Sequence, residues 1–181
     1  ELTKTLAIAF RQRQKPQQLV KTKYDYLVSD AVISAAEFDL ATRSARRKVV
    51  DIEDVLIDEF QVKAPALGAA LAKFFGVEYE PFKADRIKPM DLLKNLKRDY
   101  VEANQWIPIE ENKDGLLVLT TDPERIKVSR IANNVFPRHK AIYKVCTRRE
   151  FANTVDQFYG EAGASASIGD LLSNLGDEDA G

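Results

Sequence analysis

Hydrophobic residues recur at helical spacing through residues 1–82, which predicts a region that is nearly all helix. The clearest helix follows Ser34. Ser-Ala-Ala-Glu at residues 34–37 has the pattern of a capping box, in which the serine and the glutamate satisfy free N–H groups. We expect this helix to run to about Arg47. The residues predicted on its packed face are Phe38, Ala41, Thr42, Ala45 and Val49.

Other helices are predicted around this one. The segments with helical spacing are residues 6–10, 18–27, 52–60 and 65–75. Pro16 should interrupt the first, and Gly76 should end the last, which carries Leu67, Leu71, Phe74 and Phe75. Residues 77–82 then alternate like a short strand.

The helical region contains an internal repeat with an offset of 29 residues, which places residues 27–30 on residues 56–59. Further matched pairs are Ile33 with Val62, Ala35 with Ala64, Phe38 with Leu67, and Ala41 with Ala70. Each matched unit is the end of one helix, a short turn and the start of the next. We interpret it as a helix-turn unit used twice, too short for a solenoid.

The pattern changes after Lys83. A helix that begins near Pro89 carries Met90, Leu92, Leu93 and Leu96. Two apolar runs, at 106–109 and 116–119, are joined through Asn-Lys-Asp-Gly at 112–115, which predicts a β-hairpin.

A helix, a strand and a further helix are predicted after the hairpin. A helix with an Asp122 cap and Pro123 in its first turn should bury Ile126, Ile131, Ala132 and Val135. Residues 141–146 read as a strand. A second capping box at 147–150 opens a helix with Phe151, Val155 and Phe158.

These elements predict an α+β fold, in which an N-terminal helical subdomain is followed by a small three-stranded sheet packed with helices. The predicted boundaries are residues 1–82 for the helical subdomain and 83–160 for the α+β subdomain. Residues 161–181 form a flexible acidic linker or tail by composition.

Composition excludes several classes of protein. The 181 residues carry 27 Lys and Arg against 28 Asp and Glu, so the net charge of −1 does not indicate a nucleic-acid binder. The longest apolar runs are too short for a membrane span. The single Cys146 allows no internal disulfide and fits a reducing compartment, and the first residue, Glu1, suggests a piece of a longer cytosolic protein.

The two ends carry opposite charge. Residues 1–24 have a local net charge of +5, and residues 161–181 have a net charge of −5. Two interpretations stay open, namely solvated termini or docking of either end on an oppositely charged partner.

Motifs of catalysis are missing. The sequence contains no G-x-x-x-x-G-K-[ST] phosphate loop, no G-x-G-x-x-G and no G-x-S-x-G. His139 lies in a polar connection without a visible catalytic set, and Cys146 ends an apolar strand as a small buried hydrophobe. We therefore predict no catalytic, cofactor-binding or metal-binding residue in this chain.

Two clusters remain as candidates for other roles. The first is an acidic helix, which is expected to present a solvated face formed by Asp51, Glu53, Asp54, Asp58 and Glu59. Apart from these clusters, Trp106 is expected in the core. The best positive patch consists of Arg43, Arg46, Arg47 and Lys48. This patch could be a solvated face, a docking surface for acidic groups or a phosphate binder.

The order of these pieces resembles the N-terminal region of type II secretion ATPases and their type IV pilus-assembly relatives. Three stretches carry the resemblance: the twice-used turn into a helix at 31–38 and 60–67, the leucine-rich helix with Gly-Val-Glu-Tyr at 67–79, and the hairpin signature ending in Thr-Asp-Pro at 107–123. The resemblance extends from about Tyr26 to Gly160 and rests on the order of the motifs.

The resemblance implies a role in docking. In that family this region precedes a hexameric motor ATPase and binds the cytoplasmic part of an inner-membrane assembly protein. The motor would lie after Gly181, so this chain would bind without hydrolysing ATP, in the cytoplasm at the inner membrane. Neither nucleic acid nor direct membrane insertion is expected. The resemblance makes the helical subdomain the contact for the partner, and within it we expect the patch of Arg43, Arg46, Arg47 and Lys48 to be the docking surface.

Some relatives bind cyclic di-GMP through a repeated motif with an Arg-Leu-Gly start and a later Gly. In the second copy, the Arg-Leu-Gly positions hold Asp51-Ile52-Glu53 and the later Gly position holds Phe60. In the first copy, the same positions hold Thr22-Lys23-Tyr24 and Ala31. An aspartate repels phosphate, and a phenylalanine blocks close backbone approach. We predict no cyclic di-GMP binding by that mode.

Two alternatives to the docking domain remain. The first is a cyclic-dinucleotide or other nucleotide-sensing regulatory module fused to another effector. The second, a free-standing small enzyme, has no residue set to support it. The sequence does not separate secretion from pilus assembly.

Overall fold

The computed structural model describes residues 21–160, and within them the contacts divide the chain between Tyr79 and Glu80. Among residues 21–79, the first unit contains four helices and one short strand: α1 (Asp25–Ser29), α2 (Ala35–Lys48), α3 (Ile52–Asp58), α4 (Ala64–Phe75) and β1 (Glu78–Tyr79). The helices predicted at 34–47, 52–60 and 65–75 are confirmed. The predictions for residues 1–20, including the helix at 6–10, and for 161–181 lie outside the described residues.

Helix α2 begins with the predicted capping box. The Ser34 hydroxyl accepts a hydrogen bond from the Glu37 N–H (3.1 Å), and the Glu37 carboxylate accepts one from the Ser34 N–H (2.9 Å). Ala41 and Ala45 are buried as expected, but Val49 is not. The prediction for Val49 was wrong because the helix ends one residue earlier, and the backbone at Val49 turns left-handed.

The internal repeat is present in the structure. Helices α2 and α4 begin at Ala35 and Ala64, 29 residues apart. The same backbone hydrogen bond closes each turn, from the Ile33 N–H to the Leu27 carbonyl and from the Val62 N–H to the Leu56 carbonyl. Helix α1 packs on α4, and α2 packs on α3. One copy of the repeat contains α1 and α2, and the other contains α3 and α4. Exchanging the copies turns the contact between α1 and α4 into the contact between α3 and α2, so the unit has approximate two-fold symmetry.

Gly68 allows α4 and β1 to pack closely. A Cβ atom at Gly68 would lie 2.3 Å from ring atoms of Tyr79, so only glycine fits beneath this ring. Gly76 ends α4 in the left-handed conformation, with φ of 68°. These two glycines explain why the leucine-rich helix carries a glycine at position 68 and why a Gly-x-x-aromatic pattern follows it.

The second unit contains five helices and three strands within the described residues. They are α5 (Met90–Leu93), α6 (Arg98–Asn104), β2 (Trp106–Asn112), β3 (Gly115–Thr120), α7 (Pro123–Ser129), α8 (Ile131–Val135), β4 (Ala141–Val145) and α9 (Arg148–Tyr159). Strands β2 and β3 are antiparallel, whereas β3 and β4 are parallel. The predicted α+β class is confirmed.

The sheet has four strands in the order β1-β4-β3-β2, not the three that were predicted. The sequence did indicate a strand at 77–82, but β1 has two residues and follows the helical region. No local signal shows that so short a strand joins a sheet whose other members come later in the chain.

The hairpin follows the prediction at 112–115. The Asn112 side-chain oxygen accepts hydrogen bonds from the N–H groups of Asp114 (2.8 Å) and Gly115 (3.2 Å). A β-bulge lies between Pro108 and Glu110 on β2, an edge strand. An edge position suits Pro108, because proline has no N–H to donate to a second neighbour.

The helix predicted after Asp122 is divided into two. The cap is confirmed, since the Asp122 carboxylate accepts from the Arg125 N–H. Arg130 then takes a left-handed conformation with φ of 56°, which separates α7 from α8. Val135, expected in the core, is therefore exposed, while Ile126 and Ala132 are buried as predicted.

The core of the second unit surrounds Trp106, which is fully buried as predicted. Helix α9 begins with the predicted capping box of Thr147 and Glu150, and both residues are buried. The Glu150 carboxylate also accepts a hydrogen bond from the Phe82 N–H (3.1 Å). One helix cap therefore fixes the position of a loop that is distant in sequence.

Candidate functional site

Helix α2 turns a basic face to solvent. Leu40, Arg43 and Arg47 are spaced i, i+3 and i+7, so they form one stripe, and Arg46 adjoins it. All four side chains are exposed, and Leu40 retains 56% of its accessible surface. The buried side of the helix consists of Ala41, Ser44 and Ala45. We call Leu40, Arg43, Arg46 and Arg47 the basic face.

The structure separates Lys48 from the other three cations. Lys48 lies toward α3, where its Nζ is 3.0 Å from Oε2 of Glu59. Glu59 also accepts from the Ser44 hydroxyl at 3.1 Å. The Lys48 hydrogen bond lowers the pKa of the Glu59 carboxyl, and the bond from Ser44 and the charge of Arg47 act in the same direction. Lys48 therefore joins two helices of the first unit.

Within the described part of the chain, the three arginines form fewer ion pairs with the rest of the unit than Lys48 does. Arg43 forms an exposed i, i+4 ion pair with Asp39 (2.9 Å), which contributes little to stability. Arg46 and Arg47 form no ion pair within 4 Å among residues 21–160. Cations in the last turn of a helix favour its dipole by about 0.3–1 kcal/mol each, but Arg43 lies earlier. The dipole thus explains only part of the basic face.

The repeat provides an internal comparison. The positions equivalent to Arg43, Arg46 and Arg47 in the second copy are Ala72, Phe75 and Gly76. Helix α4 forms and packs without any of these charges. The shared fold of the two copies therefore does not require cations at these positions.

Two exposed apolar residues beside the basic face are not predicted by the sequence pattern. Val49 takes a left-handed conformation (φ 57°, ψ 48°) and leaves 88% of its surface exposed, and Val50 leaves 46% exposed. Helical periodicity continues to Val49 and predicts this side chain on the packed face. No local signal marks the helix end, because a branched side chain is unusual at a position that normally favours glycine.

The acidic helix is less solvated than expected. Glu53 is only 2% exposed and accepts a 2.6 Å hydrogen bond from the Tyr24 hydroxyl. Asp51 is the N-cap of α3 and accepts from the Glu53 N–H (2.8 Å). The prediction of a solvated face was wrong for Glu53, because its position turns toward α1 and away from water.

The remaining candidates occupy structural positions. Cys146 is fully buried, as predicted. His139 lies 3.0 Å from the Glu111 carboxylate. No group of three or more His, Cys, Asp or Glu side chains within residues 21–160 could hold a metal ion. In the same range, no helix has both the length and the apolar character needed to cross a membrane.

The arrangement on α2 suits macromolecular binding. Arginines beside exposed aliphatic side chains match the composition of protein interfaces, where arginine is enriched and apolar and polar groups adjoin. The described residues of this face include no acid–base pair and no nucleophile. Its chemistry is attraction of carboxylates together with burial of apolar surface.

Comparisons with known proteins give the family. The MshEN domain model matches residues 75–165, which is half of the chain. No curated protein matches this sequence. A solved structure described as MshE with cdg is 18% identical and has a TM-score of 0.56, covering 77% of this chain and 99% of its own, which establishes a shared fold.

A second solved structure, the N-terminal domain of XpsE, is 11% identical, with a TM-score of 0.44, covering 75% of this chain and 93% of its own. Its similarity is too low to support an argument. The MshEN match confirms the resemblance to the N-terminal region of secretion and pilus-assembly ATPases. The chain belongs to the MshEN domain family.

Proposed function

We propose that this chain is a non-catalytic docking domain of a type II secretion or type IV pilus motor ATPase. It binds the cytoplasmic part of an inner-membrane assembly protein and positions the ATPase domain that follows in the same polypeptide. The chain is thereby held in the cytoplasm at the inner membrane through its partner. In this proposal residues 1–82 act as the docking subdomain, 83–160 as the α+β subdomain and 161–181 as the linker.

The basic face of α2 is the observation that carries this proposal. Three arginines and Leu40 are exposed there, and the second copy of the repeat folds without cations at the equivalent positions. Side chains that the fold does not require and that attract carboxylates suit an acidic protein surface. Lys48, bonded to Glu59, joins two helices of the unit and borders the docking surface.

The test reverses two charges on the basic face. We expect Arg43→Glu with Arg47→Glu to weaken binding of the partner's cytoplasmic domain by about tenfold or more, and to change the melting temperature little. The matched control is Lys94→Glu with Lys97→Glu, two exposed lysines of the second unit, which should leave affinity unchanged. Unchanged affinity of the α2 variant in a titration would refute the role of this face.

A nucleotide-sensing module is the second candidate, because the solved structure of MshE contains cdg. Two substitutions argue against binding by the Arg-Leu-Gly mode here. Asp51 replaces the arginine and is occupied as the cap of α3, and Phe60 replaces the later glycine. We predict no heat of binding and no thermal shift with cyclic di-GMP. Micromolar binding in isothermal titration would contradict this prediction and favour the sensor.

A further inference from the structure

Val49 combines two unfavourable features at one position. Its backbone is left-handed, and its side chain is almost fully exposed. Residues 21–160 include five non-glycine residues with positive φ, which are Ala31, Val49, Gln61, Gln105 and Arg130. Val49 is the β-branched member of that set, and β-branched side chains tolerate this conformation worst.

Helix α4 shows the ordinary solution to the same geometry. It ends at Gly76 with φ of 68°, and both helix ends are closed by a backbone hydrogen bond to the carbonyl four residues earlier. Glycine at Val49 would therefore close α2 equally well and remove the strain. The valine gains no compensating burial within the described residues, since 88% of its surface is exposed.

Backbone strain with no compensation in the fold concentrates at functional sites. Val49 and Val50 immediately follow Arg46, Arg47 and Lys48 in the chain, so an apolar pair lies directly beside the cations. Val50 donates its N–H to the Ala45 carbonyl (3.1 Å), which fixes the pair against the end of the helix. A rigid apolar projection beside arginines has the form of an interface hot spot.

We propose that Val49 and Val50 are the apolar anchor of the docking surface, and that they insert into an apolar recess edged by carboxylates on the partner. This inference rests on the proposed function. It assigns the partner's chemistry, because a recess without carboxylates leaves the arginines unpaired and a purely acidic surface leaves the valines exposed. Val49 is kept for binding at the expense of stability.

The test separates stability from affinity at one residue. Val49→Gly should raise the melting temperature by a few degrees, roughly the effect of relieving a strained backbone in a small unit. The same variant should weaken binding of the partner's cytoplasmic domain by about tenfold or more. Val49→Asn, which tolerates the left-handed backbone, should lose affinity similarly, whereas Val49→Leu should keep most of it.

Ala31→Gly is the matched control. Ala31 is exposed and left-handed (φ 59°), but it lies before the start of α2, whereas Val49 lies at its end. The helix between them is about 20 Å long. Ala31→Gly should leave affinity unchanged. If wild type binds the partner and Val49→Gly and Val49→Asn bind within about twofold of it, the anchor is refuted while the docking function stands.

Other outcomes refute more. If the folded wild-type chain does not bind the partner, the proposed function fails and the anchor assigned to it fails as well. Dimerisation that depends on Val49 in sedimentation would assign the anchor to a second copy of this chain. Competition by a synthetic peptide of residues 161–181 would assign it to the chain's own acidic segment, and either result overturns the partner as occupant.

Discussion

The hydroxyl of Tyr24 donates a 2.6 Å hydrogen bond to Oε2 of Glu53, and both side chains are buried. The two residues are 29 positions apart, which is the offset of the internal repeat. Equivalent residues of two copies touch each other only near the axis that relates the copies. The bond therefore marks the approximate two-fold axis of the helical unit.

A second pair of contacts obeys the same symmetry. Asp30 binds Lys73 at 2.6 Å, and the equivalent residues Glu59 and Ser44 are joined by a hydrogen bond of 3.1 Å. In both cases an acidic side chain at the end of a short helix reaches the long helix of the other copy. The first contact is an ion pair and the second is a hydrogen bond from a hydroxyl to a carboxylate, but the two contacts occupy equivalent positions.

Removing the hydroxyl at the axis should destabilise the first unit. Tyr24→Phe should lower the free energy of unfolding by about 1.5–3 kcal/mol, because a buried hydrogen bond to a carboxylate is lost. Urea unfolding followed by circular dichroism measures the effect. The control is Tyr26→Phe, whose half-buried ring lies near Lys73 and should change stability by less than about 0.5 kcal/mol. Equal losses of unfolding free energy in the two variants would show that the Tyr24 hydrogen bond contributes no more to stability than the Tyr26 hydroxyl does.

Gly68 should not tolerate a side chain. Gly68→Ala increases helix propensity by about 1 kcal/mol, but its Cβ would meet the Tyr79 ring at 2.3 Å. We expect a net destabilisation of about 1–3 kcal/mol from overpacking. In a Tyr79→Ala background the same substitution should be neutral or stabilising. A double-mutant cycle by thermal unfolding that gives no coupling between the two positions would contradict the steric explanation.

The two capping boxes should differ in energy. Thr147 and Glu150 are buried, whereas Ser34 and Glu37 are exposed. Thr147→Ala should cost about 2 kcal/mol, and Ser34→Ala should cost about 0.5–1 kcal/mol, because water replaces the lost bond only at the exposed cap. Denaturant titration of the two variants compares them directly. A larger loss for Ser34→Ala would refute this dependence on burial.

Glu80 should make stability depend on pH. Burial by itself raises the pKa of its carboxyl, but hydrogen bonds and charges from Arg86 (2.9 Å) and Lys83 (3.2 Å) outweigh it, and the pKa is lowered. The folded state therefore binds the proton less readily than the unfolded state. The carboxylate stabilises the fold fully above the ordinary value near 4.5, and this contribution is lost as pH falls through the folded pKa.

Glu80→Gln tests this linkage. The variant should be less stable than wild type at pH 7, and the difference should shrink as pH falls to about 3. Glu110→Gln, at an exposed site on β2, is the control and should follow wild type throughout. Thermal unfolding across this pH range measures the difference. A gap between wild type and Glu80→Gln that stays constant with pH would contradict the assignment.

Local sequence determined most of the individual elements. Ser34 with Glu37 and Thr147 with Glu150 fix two helix starts, and Asn112 to Gly115 fixes the hairpin, because these signals act within a few residues. The repeat was also visible in the sequence, since equal helix-turn units need equal apolar positions. The charges of the candidate site, Arg43, Arg46 and Arg47, were identified for the same local reason.

Tertiary structure decided what depends on distant partners. Only the folded unit shows that Lys48 belongs with Glu59, that Glu53 is buried against Tyr24, and that β1 joins the sheet. Only the backbone shows that Val49 is strained and exposed, because its branched side chain predicted a packed helical position. Periodicity records which residues are apolar, whereas the course of the chain determines which of them find a neighbour.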